Sequence, residues 1–371
     1  MSAQHDPTNR VSQVDYGAAG QTIRHDGVES NRHRVRDALP ILLFVLLILL
    51  MLFSLTLGRY PVPFGEVARI VFTTFPINAV GDYENAPWVV VEIVRMPRIL
   101  LVTLCGMGLA MSGAAMQGVF RNPLVGPEIA GVSSGAALGG VAAIMLSWPA
   151  LGVVGLAFGS GLAALVAAFG LARIAGRAST LALVLSGVIV GGFCGALVGL
   201  LQTLADPMVK LPSIVYWLLG SFAGATYEKV AIVAAVTLVA GTLLLALRWR
   251  INLLSLGETD ARALGVNVEL LRWSLMGLVA VLVAAQVSVS GGVGWVGLIV
   301  PHLARMLVGP EHTRLLPTSA FLGGIYLLAM DDIARSLTEQ EIPIGLLTSV
   351  VGTPIFAFLF WKTQSKGWAR E

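Results

Sequence analysis

Charge is scarce in this sequence. Asp, Glu, Lys and Arg together supply 12% of its 371 residues, where an ordinary soluble domain carries about a quarter. So few charges cannot cover the surface of a water-soluble chain of this length, and 56% of it is apolar. Basic residues outnumber acidic ones only by 24 to 21. They are scattered rather than clustered, which excludes a nucleic-acid footprint. Cysteine is confined to Cys105 and Cys194, each inside an apolar run. Two such residues make neither a disulfide framework nor a metal-ligand spacing, and they read as small packing groups. No Gly-Lys dipeptide occurs, so no glycine-rich loop ending in Gly-Lys-Ser/Thr cradles a nucleotide here. His-Glu-x-x-His, Gly-x-Ser-x-Gly and paired catalytic carboxylates are missing as well. The chain reads as no enzyme, and any ATP hydrolysis that drives it belongs to another subunit.

What the sequence does have is apolar length. Residues 1–37 form a polar tail without an apolar period, expected to be disordered and cytoplasmic. The apolar run from Ala38 comes too late and is too long for a secretory signal, and it reads as a first transmembrane helix. Stretches of spanning length follow at Ala38–Leu57, Ile99–Gln117, Ile129–Leu146, Leu151–Ala172, Leu181–Leu204, Val230–Leu247, Leu271–Val289, Val293–Leu307, Pro317–Ala334 and Ile344–Trp361. The expected fold is therefore all-α and polytopic, with about ten transmembrane helices. A membrane domain would cover 38–365, with a loop at 248–268 on its inner side and a short tail at 366–371. With the N-terminus inside, Arg32, Arg34, Arg36, Arg173, Arg177, Arg248, Arg250, Lys362 and Lys366 fall on the cytoplasmic side. Arg59, Arg69, Lys210 and Lys229 fall outside. That is the bias of the positive-inside rule, and both termini are expected in the cytoplasm of a multi-pass chain in a bacterial inner membrane.

Several features bear on function. Gly187, Gly191, Gly195 and Gly199 recur every fourth residue and line one helix face with bare backbone. Close packing within the chain and a face at a subunit interface or pathway explain the spacing equally well. Glu128, Gln117, Gln202, Gln286, His302, Asp331 and Asp332 sit in or beside apolar runs, where a lone charge costs about 2.5–3.5 kcal/mol. Asp331 and Asp332 stand next to Arg335, so a local ion pair accounts for them. Glu128 follows Gly126-Pro127 at a helix start, where the helix dipole favours a carboxylate. The loop Leu253–Val266 is polar but keeps Leu256, Ala261, Leu264 and Val266 on roughly helical spacing. Such an element either lies on the bilayer or docks on a cytoplasmic partner.

Dispersed motifs then match a family in order and spacing. Arg95-Met-Pro-Arg98 leads into an apolar helix with Ser112-Gly113 and Gln117. Arg121-Asn-Pro-Leu124 follows, then Gly131-Val-Ser-Ser-Gly-Ala136, Leu256-Gly257, Ala261–Gly265, Val296-Gly297-Leu298, Pro301-His302, Arg305, Glu341–Gly345 and Gly352-Thr-Pro354. From about Leu57 to Trp361 the chain resembles the permease subunit of ABC importers for iron chelates (siderophores, haem) and cobalamin, the type II importer permeases. The resemblance implies a homodimer, two cytoplasmic ATPase subunits that use the ATP, and a soluble substrate-binding protein outside. It also implies a metal-chelate substrate and lipid contact, with no cofactor or metal held by this chain. By the same resemblance Arg95, Arg98 and Arg335 are exposed docking groups for acidic residues of the binding protein. Leu256, Gly257, Glu258, Ala261, Arg262, Leu264 and Gly265 belong to two coupling helices that seat in the ATPase. Ser179 and Thr180 match an inner gate, and the glycine-striped helix would line the pathway. The expected cargo is a ferric siderophore first, then haem, then cobalamin, with molybdate also carried by relatives. A secondary, ion-coupled carrier is the rival of another class. A membrane-embedded enzyme lacks a catalytic constellation.

Overall fold

The computed structural model describes residues 37–74, 85–174 and 180–367, and these contain helices and connections without a strand. In chain order the helices are α1 (Asp37–Ser54), α2 (Phe64–Thr74), α3 (Ala86–Phe120), α4 (Val132–Met145), α5 (Ala150–Ile174), α6 (Thr180–Leu204) and α7 (Lys210–Leu219). There follow α8 (Tyr227–Leu256), α9 (Glu258–Ala263), α10 (Val268–Ser290), α11 (Val296–Val308), α12 (His312–Ser336) and α13 (Ile344–Gly367). Residues 1–36 of the polar tail lie outside the described residues. Each of the ten apolar stretches read from the sequence falls on a helix: α1, α3, α4, α5, α6, α8, α10, α11, α12 and α13.

Length and hydropathy alone qualify α1, α3, α5, α6, α8 and α10 as membrane spans. α12, α4 and α11 depart for physical reasons. α12 has 25 residues but carries Asp331, Asp332 and Arg335. α13 is apolar over Ile344–Leu359. α4 and α11 have 14 and 13 residues, about 20 Å of helix, short of a full span. They are reached by the connection 121–131, which holds the single 3-10 turn Pro127–Ala130, and by the non-helical segment 291–295. Such backbone is tolerated at membrane depth where protein or a cavity surrounds it. Trp295, the residue before α11, is held at a positive φ of 69°, and its ring packs on Phe356 of α13.

α3 is the axis of the fold. Over its most apolar stretch 83% of residues are buried, against 17% for α1 at the periphery. A Cβ on Gly106 would stand 2.3 Å from the Gly323 carbonyl oxygen, so glycine alone lets α3 and α12 touch backbone to backbone. Leu101 and Leu109 of α3, Leu275 and Leu282 of α10, Leu244 of α8 and Leu327 of α12 fill the surrounding core. α4, α5 and α6 pack as a second group, with α4 and α5 against α10. Local signals set the ends. Thr226 caps α8 by accepting from the Lys229 N–H, and Asn267 caps α10 by accepting from the Leu270 N–H. Cys105 and Cys194 are both buried free thiols, as packing groups should be.

Candidate functional site

Where α1 and α12 end beside the first third of α3, three arginines knit the bundle together. Arg98 grips Asp331 side-on, with Nε 2.9 Å from Oδ2 and Nη2 2.8 Å from Oδ1. The same guanidinium donates to Glu341, with Nη1 3.0 Å from Oε2 and Nη2 2.6 Å from Oε1. Arg335 pairs with Asp332 at 2.5 Å and donates to the carbonyls of Ser54 and Leu57 at 2.7 Å each. The Ser54 hydroxyl donates to Asp332 at 2.6 Å. Arg95 donates to the carbonyls of Leu55 and Tyr60. The last turn of α1, the first third of α3, the end of α12 and the approach to α13 are thus tied by one charge network.

The ion pair expected between Asp331, Asp332 and Arg335 is present. The expectation that Arg95, Arg98 and Arg335 stand exposed is corrected. They are 4%, 8% and 9% exposed, because Asp331, Asp332, Glu341 and terminal helix carbonyls occupy their donors. Glu341 was the partner that sequence reasoning missed. It lies 243 residues from Arg98, and its only signal was its place in the Glu341–Gly345 motif. Arg59 and Arg69 are exposed at the same end.

The opposite end has another character. The expected loop 248–268 is mostly helix: α8 runs on through Leu256, and the turn shrinks to 257–267. Gly257 and Gly265, at φ 135° and 80°, make the corners on either side of α9. α9 is one short helix where two were expected. The rest of Leu253–Val266 is the last turn of α8 and the bend after α9. Ala261 is buried while Leu256 and Leu264 are 61% and 59% exposed, with exposed Arg262 between them. Glu258 holds the turn in place. It pairs with Arg272, a buried residue of α10, and approaches Arg262 at 3.5 Å. Nearby, Arg305 of α11 donates to Gln117 of α3 at 2.7 Å, which joins two of the motif residues. Of the expected inner gate, Ser179 lies outside the described residues and Thr180 opens α6.

The glycine stripe of α6 divides. A Cβ on Gly187 would fall 2.1 Å from the Ile129 carbonyl oxygen, and Gly191 faces Ser134, so this half packs within the chain. Gly195 and Gly199 face open space. On the same helix Leu185, Ile189 and Phe193 are exposed. Beside the packed half, the segment before α4 and the glycine-rich connection from α10 to α11 border a half-open cavity of about 300 Å³. Glu128, Ser133, Ser134, Leu218, Val287 and Gly294 are among its walls.

A transport family matches this arrangement. The FecCD transport family model covers residues 46–362, nearly the whole helical bundle. The chain belongs to the FecCD transport family. The molybdate import system permease protein MolB of Haemophilus influenzae is 44% identical over 89% of this chain and 98% of its own length. A probable iron chelatin transport system permease protein of Helicobacter pylori is 41% identical over 74% of this chain and 83% of its own. Among solved structures, a metal-chelate type ABC transporter in an inward-facing conformation is 43% identical, with a TM-score of 0.78. It is matched over 87% of this chain and 98% of that one. The FecCD chain is thus a multi-pass permease subunit of an ABC importer and not itself the catalyst. Its ATPase and binding-protein partners follow from that membership.

Proposed function

We propose that this FecCD permease passes a ferric siderophore from an outer-side binding protein to the cytoplasm, as a homodimer driven by two ATPase subunits. The observation that carries the reading is the turn around α9. Leu256 and Leu264 project apolar side chains beyond the helical bundle, from a corner that Glu258 and Arg272 fix to α10. Apolar side chains on a braced corner suit a groove in a partner protein. ATP binds and is hydrolysed on that partner, and this chain holds no cofactor. When the ATPases close, the corner tilts and α8 and α10 move with it, so a cavity between the two copies opens alternately to each side. The open glycines and exposed apolar residues of α6 support a second copy on that face. The ten-helix count and the bias of basic residues support cytoplasmic termini.

At the other end the binding protein docks on a platform whose shape Arg95, Arg98 and Arg335 maintain from within. A siderophore fits the iron chelatin relative and the metal-chelate type of the structural one. The alternative reading, molybdate, rests on the MolB relative at 44% identity. The test is to purify the binding protein that works with this chain and measure what it retains and delivers. Retention of ferric hydroxamates with ATP-dependent uptake is expected. Retention of molybdate alone would overturn the siderophore reading while leaving the importer intact.

A further inference from the structure

We propose that Glu128 is a cargo-contact residue that favours neutral or cationic chelates rich in hydrogen-bond donors and disfavours oxyanions. The inference rests on the importer reading and narrows its substrate class. Glu128 belongs to the single turn Pro127–Ala130, ahead of α4. That turn lies against α6, part-way along the bundle. Gly131 packs on Gly187 and Gly191 of α6, about two to three turns in from the start of that helix. A carboxylate among spanning helices pairs with a cation or faces a water-filled cavity. Among the described residues the Glu128 side chain is exposed and has neither a hydrogen bond nor an ion pair, so it is free to meet a cargo.

The carboxylate instead borders the cavity of about 300 Å³. One oxygen lies 3.7 Å from where a Cβ on Gly294 would stand, which places the carboxylate beside the connection between α10 and α11. Ser133 and Ser134 supply hydroxyls on the α4 side, and among the described residues no Lys or Arg lines the space. The volume suits one functional group of a larger cargo rather than a whole chelate. An unpaired carboxylate among hydroxyls accepts from ammonium, amide or hydroxyl donors. It repels an oxyanion or a free carboxylate on the cargo, with no cation nearby to offset the repulsion. A charge-assisted hydrogen bond of this kind is worth about ten- to a hundredfold in affinity. Helix-dipole stabilisation, which explains Glu128 from its sequence position alone, does not account for the cavity.

The test uses the complete transporter in proteoliposomes, with its own binding protein, ATPase and ATP. Wild type, Glu128→Gln and Glu128→Lys are compared on ferric hydroxamates carrying positive, zero or negative charge, and on molybdate. The binding protein is the same throughout, so the ratio of variant to wild-type uptake isolates the permease. For neutral and cationic chelates the ratio should fall about tenfold in Glu128→Gln and further in Glu128→Lys, with cargo-stimulated ATP hydrolysis retained. For anionic cargo it should stay level or rise. A ratio independent of cargo charge in both variants overturns the proposal, as does wild-type uptake of molybdate that matches the best chelate. Absence of ATP-dependent uptake of any cargo by wild type is a different result, since it would sink the importer reading itself.

Discussion

At the end of the bundle that carries Arg95, Arg98 and Arg335, guanidinium groups turn inward onto carboxylates and helix carbonyls. At the α9 end, leucines turn outward. The arginine end has the sequence of a surface made for a partner, and it is the better buried of the two. The α9 corner has the sequence of an ordinary polar loop, yet it displays apolar side chains away from the core. Charge near a helix end therefore reports on partners only once its own chain has been searched for counter-ions. Apolar exposure on a short turn between two spans is the stronger sign of a protein surface, because neither lipid nor core requires it there.

Removing the central arginine would break this contrast most severely. Arg98→Gln leaves Asp331, which is 1% exposed, with Arg335 at 3.8 Å as its remaining ion-pair partner. Losing one member of a buried pair costs about 3–5 kcal/mol. A large drop in the melting temperature of the detergent-purified chain is expected, and unchanged stability would return Arg98 to the role of a free docking group. Leu264→Asp addresses the other end. Its fold stability should change by less than about 0.5 kcal/mol. Affinity for the ATPase should fall by about 2 kcal/mol, roughly thirtyfold, as for a contact at the centre of an interface. Titration of the ATPase against the solubilised permease reads this directly. The smallest effect is expected for Glu258→Gln, about 1 kcal/mol of stability for a partly exposed pair. Its signature is a lower ratio of cargo moved to ATP hydrolysed, with ATPase binding kept, because the corner no longer drags α10.

The helical bundle was largely legible in the sequence because spanning length and hydropathy are local properties. Its errors have local causes too. α3 begins at Ala86 rather than Ile99, since Glu92, Arg95 and Arg98 lower the hydropathy of a segment whose arginines are in fact paired. α8 extends to Leu256 through Arg248 and Arg250, which are exposed where the helix outruns the apolar stretch. The arginine network was not legible, because Arg98 meets Asp331 and Glu341 across 233 and 243 residues. Nor was the division of the glycine stripe, which depends on where the turn at Ile129 falls against α6. The cavity beside Glu128 needs two connections, 121–131 and 291–295, to meet, and no periodicity announces that.

Uptake into proteoliposomes, with and without the ATPase subunits, tests the central claim most directly. Cargo delivered by the binding protein should accumulate only when the ATPase and ATP are both present, and Leu264→Asp should lower that accumulation at limiting ATPase. Gradient-driven uptake by this chain alone, at a rate the ATPase does not change, would contradict the account.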